Sequence, residues 1–122
     1  MIDPAIIRLI GFRTSEDRGR LLENIVFLHL KMAGKEIFFH KEQKECDFIT
    51  RKGIRVVEAI QVATHLSDPK VRKRELDGLL EAITAYHLKE GLILTENETE
   101  ILEIDGYKIE IMPIWKWLLQ FS

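Results

Sequence analysis

The stretch from Glu45 to Ala63 constrains this chain most: it reads as two extended segments joined by a short turn at Arg51-Lys52-Gly53. The first carries the acidic residues Glu45 and Asp47, and the second is almost continuously apolar except for Arg55, Glu58 and Gln61. Strand side chains alternate between faces. Regular alternation puts Glu45, Asp47 and Ile49 on one side of the first strand. On the second it puts Val57, Ala59, Gln61 and Ala63 on one face, and Val56, Glu58, Ile60 and Val62 on the other.

The remaining elements follow from the order of the chain. Thr14 or Ser15 can cap a first helix, with Glu16 and Asp17 in its favourable first turn. It should run to about Met32 and stop before Gly34, with Leu22, Ile25, Val26, His29 and Ala33 facing the core. Glu36 to His40 reads as a strand, and Lys41 to Lys44 as the polar turn into the hairpin. Ser67-Asp68-Pro69 opens a second helix to about Leu88, with Leu76, Leu79, Leu80, Ile83 and His87 inward. A strand over Leu92 to Thr95 and a hairpin turning at Asp105-Gly106 come next. Pro113 ends the hairpin, and Trp115 to Leu119 makes a closing helical turn. The third strand, the second helix and the fourth strand form a crossover with parallel strands. The expected class is therefore α/β: a mixed sheet flanked by helices, in the order α-β-β-β-α-β plus a C-terminal hairpin and short helix.

Composition narrows the function classes. The 122 residues suit one domain over 1–122, with 1–12 a packing segment or a remnant, and the 46% hydrophobic and 31% charged content is that of a water-soluble fold. A formal charge of −2 gives no global pull toward nucleic acid, so DNA binding would need a local patch. The single cysteine, Cys46, reads as a small buried hydrophobe in a reducing compartment, and no apolar run is long enough for a membrane span. The cytoplasm is the expected location.

Several segments in order carry a resemblance: Gly19 to Phe27 (Gly-Arg-Leu-Leu-Glu-Asn-Ile-Val-Phe), Lys44 to Phe48, Ile60-Gln61-Val62, Arg74-Glu75, and Ile111 to Leu119. Together they resemble the PD-(D/E)XK, or restriction-endonuclease-like, superfamily. More narrowly they resemble the uncharacterised domain at the C-terminus of many bacterial and archaeal AAA-type ATPase proteins. The chain has no Gly-x-x-x-x-Gly-Lys-Ser/Thr run, so it has no ATP site of that kind. An ATPase would be an upstream or separate partner.

The resemblance implies a Mg²⁺-dependent nuclease site. Mg²⁺ takes hard oxygen ligands, stabilises charge on the phosphate and lowers the pKa of its water. Matched residue by residue, Glu23 stands for the first-helix glutamate, Asp47 for the strand aspartate and Gln61 for the second acid, giving Glu23, Asp47 and Gln61 as the catalytic set and Asp47 and Glu23 as metal ligands. Ala63 stands where the family has its lysine. Glu58 faces away from Gln61 on an unbulged strand and is expected to pair with Arg72 or Arg74.

Lys70, Arg72, Lys73 and Arg74 open the second helix and could meet a DNA backbone, or could be a solvated face with Lys73 and Asp77 paired. His29, His40, His65 and His87 lack zinc-ligand spacing with each other or with Cys46. His65 follows the key strand and is the histidine to mutate. Ile114, Trp115, Trp117, Leu118 and Leu119 could dock a partner or close the core. Exposure of that segment together with Ala5 to Ile10 would point to a homo-oligomer or an ATPase partner. The expected function is a nucleic-acid-associated accessory module with a degenerate site. The alternatives are an active Mg²⁺-dependent DNA endonuclease and a protein-interaction module without nucleic-acid binding.

Overall fold

A computed structural model describes residues 15–120. Thr14 and the Ala5 to Ile10 segment lie outside the described residues. Helix α1 spans Ser15–Met32, followed by β1 (Glu36–Lys41), β2 (Glu45–Lys52) and β3 (Arg55–Val62). Helix α2 (Pro69–Ala85) leads to β4 (Glu90–Thr95), β5 (Glu100–Ile104), β6 (Tyr107–Pro113) and α3 (Ile114–Leu119). The six strands form one mixed sheet in the order β1-β2-β3-β4-β6-β5. The β1–β2, β2–β3 and β5–β6 pairs are antiparallel, and β3–β4 and β4–β6 are parallel. The α/β class and the flanked mixed sheet are thus as the sequence implies.

Two cores sandwich the sheet. On one face α1 and α3 bury Leu22, Val26, Leu30, Trp117 and Leu118 against Phe48, Ile60, Val62, Leu94 and Met112. On the other, α2 buries Leu79, Ala82 and Ile83 against Ile49, Ala59, Ile93, Ile109 and Ile111. Among the described residues no helix is long and apolar enough to cross a membrane.

Turn chemistry sets the element ends. Asp68 caps α2 by accepting the Lys70 N–H at 2.9 Å, ahead of Pro69 in the first turn. Asp105 and Gly106 both have positive φ, 52° and 84°, as a two-residue hairpin turn between Ile104 and Tyr107 requires. Two inward assignments need correction, both at helix ends. Ala33 is exposed, because α1 stops at Met32 and Gly34 (φ 77°) turns the chain away; Leu30 fills the stripe instead. His87 is exposed as well, since α2 ends at Ala85 and His87 takes a left-handed cap (φ 57°) with the Leu88 N–H bonded to the Ile83 carbonyl.

Strand alternation is interrupted twice. Phe38 pairs with Ile49 but His40 pairs with Cys46, so β2 carries one extra residue around Asp47 and Phe48. Cys46 and Ile49 consequently face the same α2-side core, which regular alternation forbids. Likewise Thr50 pairs with Glu58 and Arg51 with Val56, leaving Val57 as an exposed bulge. Val56 therefore joins Ala59 on the α2 side instead of Glu58.

Candidate functional site

The bulge in β2 shapes the end of the hairpin where the sequence points to chemistry. Beyond the Phe48–Ile60 pair the two strands part, and side chains take over the ladder bonds. The Val62 N–H donates to Asp47 Oδ2 at 2.8 Å. The Asp47 N–H donates to Gln61 Oε1 at 2.8 Å, and Gln61 Nε2 donates to the carbonyls of Glu45 (2.8 Å) and Glu75 (3.1 Å). Gln61 thus knits β2, β3 and α2 together. It is 1% exposed, and both ends of its amide are engaged with backbone, so it does not open into a cleft.

Gly78 makes this approach possible. A Cβ there would land on the Glu45 carbonyl oxygen and within 2.7 Å of Gln61 Nε2. A residue without a side chain is what allows α2 to sit this close to the splayed strand.

Around the knot lies a group of carboxylates. Burial pushes Asp47 up to about 6; the Val62 amide pulls the other way, while Glu23 and Glu45 raise it further. Burial also pushes Glu75, on α2, up to about 7, with Asp47 and Glu23 adding repulsion and Arg74 opposing. Glu23, on the surface of α1, is raised as well, by desolvation against the pull of Arg20. Two partly desolvated acids that repel each other are the kind of arrangement found at cation-binding and catalytic sites. Glu75 was not among the sequence candidates; its signal was the Arg74-Glu75 dipeptide, one helix turn before Gly78. Arg74 lies against Glu75, its guanidinium 3.5 Å from Glu75 Oε1.

The fold therefore brings Asp47 and Gln61 into direct contact and adds Glu75. Glu23 acts on them through its field from α1, which covers the face of the sheet opposite to α2. Ala63 is buried in the α2-side core. Glu58 does not meet Arg72 or Arg74. It lies on the α1 side, bound by Lys35 and by the Thr50 hydroxyl at 2.9 Å, because the sheet separates it from α2.

The basic cluster is largely paired. Arg72 meets Glu100 at 2.8 Å, Lys73 meets Asp77 at 2.6 Å, and Arg74 meets Glu75. His65 bonds to the Ser67 hydroxyl at 2.8 Å. Cys46 is buried, its thiol pushed up to about 12, first by desolvation and then by Asp47. Of the closing segment, Ile114, Trp117 and Leu118 are core, while Trp115 and Leu119 are exposed. A cavity of about 230 Å³ lies elsewhere, lined by Glu58, Leu92, Lys108, Met112 and Trp117, and includes none of the acidic group.

No family model matches the chain. An uncharacterized protein of Methanocaldococcus jannaschii is 33% identical over 118 residues, an alignment covering 88% of this chain. The chain spans 26% of that relative's length, about a quarter.

Proposed function

We propose that the chain is an accessory module of a larger nucleic-acid-processing assembly, built on a restriction-endonuclease-like plan and without a working cutting site. The observation that carries this reading is the Gln61 amide. The group matched to the second acid of the motif is buried and holds backbone, and the position matched to the lysine is a core alanine. The span of about a quarter of the archaeal relative suits a module of a longer protein. DNA association would rest on Lys70 and the outer faces of Arg72, Lys73 and Arg74, whose pairings with surface acids are weak and exchangeable. A separate or upstream ATPase is the partner this reading favours.

The raised Asp47 and Glu75 carboxyls favour a second reading, a Mg²⁺-dependent DNA nuclease. Their hard oxygens are the donors Mg²⁺ takes, and a divalent ion there would relieve their repulsion and stabilise charge on a phosphate. Arg74 would be the nearby cation.

One experiment separates the two. Fluorescence anisotropy on labelled duplex DNA over a salt series reports binding, and plasmid integrity with Mg²⁺ or Mn²⁺ reports cutting. The accessory reading expects salt-sensitive binding, weakened in a Lys70→Ala/Arg72→Ala variant, with intact plasmid. Metal-dependent cutting lost in Asp47→Ala would replace it with the nuclease reading. Absence of any salt-sensitive binding would replace both with a protein-interaction module.

A further inference from the structure

A second group of metal-competent side chains sits at the turn of the β1–β2 hairpin, on the α2 face. His40, at the end of β1, is 2% exposed. Its Nδ1 lies 3.0 Å from the Tyr86 hydroxyl and its Nε2 lies 2.9 Å from Glu81 Oε2 on α2. Glu42, in the turn after β1, completes the set: one ligand atom each from His40, Glu42 and Glu81 all lie within 4.8 Å of one another. No other trio of histidine, cysteine or acidic ligand atoms is gathered this tightly among the described residues.

The contacts are those of a prepared ligand set. Tyr86 holds the ring from its Nδ1 side, as outer partners of metal-bound histidines do. That leaves Nε2 directed at the Glu81 carboxylate at 2.9 Å, the contact of an imidazole N–H with a carboxylate and one that a shared metal ion can take over. The Lys44 N–H also donates to Glu81 Oε2 at 2.9 Å, which fixes the carboxylate. Sequence spacing between histidines and cysteines gave no hint of this. The ligands come from a strand end, a turn and a helix, and only two of them are near in sequence.

We infer that His40, Glu42 and Glu81 form a binding site for a divalent transition metal, Zn²⁺ in the first place, that clips the β1–β2 turn onto α2. One imidazole and two carboxylates suit Zn²⁺ or Mn²⁺, and three protein donors leave one position for water. The site shares no residue with the Asp47 group and does not rest on the nuclease reading.

The test uses chelator-stripped protein, titrated with Zn²⁺ by calorimetry and with Co²⁺ by visible absorption, alongside thermal unfolding. Expected are one-to-one saturable binding, Co²⁺ bands of an imidazole-containing site, and a rise in the unfolding midpoint with Zn²⁺. Glu42→Gln removes an exposed ligand, so it should leave the metal-free midpoint unchanged and weaken binding about tenfold or more. Tyr86→Phe should weaken it by a similar factor, and Asp47→Ala should bind as the unmodified protein does. No saturable binding, an undiminished affinity in Glu42→Gln, or loss of binding in Asp47→Ala would each overturn the assignment.

Discussion

Replacing Glu75 by Gln isolates the cost of the acidic group. Glu75 is raised from 4.5 to about 7, first by desolvation and then by Asp47. In the unfolded chain it ionises near its ordinary value. Between these two values the folded state holds a proton that the unfolded state has released, so stability falls as pH rises through that window. At about 1.4 kcal/mol per pKa unit, the charged folded form at pH 8 bears a penalty of roughly 3 kcal/mol. Residual exposure and loss of the Arg74 contact, a surface pair worth under about 1 kcal/mol, reduce the expected gain. Glu75→Gln should therefore stabilise the protein by about 1–2 kcal/mol at pH 8 and by nearly nothing at pH 4, where the glutamate is mostly protonated in both states. Urea unfolding followed by circular dichroism across pH 4–8 gives the difference directly. A variant-minus-parent difference that does not change with pH would refute the argument, as would clear destabilisation at pH 8. A stabilising loss of charge marks a residue retained for something other than folding.

Two further substitutions probe the knot beneath that group. Gln61→Leu strips partners from the Asp47 N–H and from the Glu45 and Glu75 carbonyls. It should cost on the order of 3 kcal/mol in urea unfolding, and a cost under about 0.5 kcal/mol would show that the amide does not hold the strands together. Gly78→Ala should gain about 1 kcal/mol from helix propensity alone, yet the Cβ meets the Glu45 carbonyl. Net destabilisation of about 1–2 kcal/mol is expected from the overpacking, and a more stable variant would refute the close approach.

The chain's periodicities determine much of the architecture by themselves. Apolar spacing, the Asp68-Pro69 start and the Asp105-Gly106 turn are local signals, and the elements follow because backbone geometry responds to nearby residues. Local signals fail where the chain has to pack. Glu45, Asp47 and Ile49 look like one face in sequence, but a one-residue bulge at Asp47 and Phe48 changes the register, and only pairing with β1 reveals it. Glu58 could be matched with a cation from the sequence, but which cation depended on the face of the sheet it occupies. Glu75 drew attention only as part of a dipeptide, because desolvation beside Asp47 is a property of two elements brought together. Gln61, placed in the catalytic set by the resemblance, holds backbone because the splayed hairpin leaves donors and acceptors that no sequence pattern displays. His40, Glu42 and Glu81 are three ordinary residues until α2 closes over the hairpin. Secondary structure here is set by neighbours along the chain. Ionisation and ligand geometry are set by neighbours across space, and those exist only once the sheet and α2 have packed.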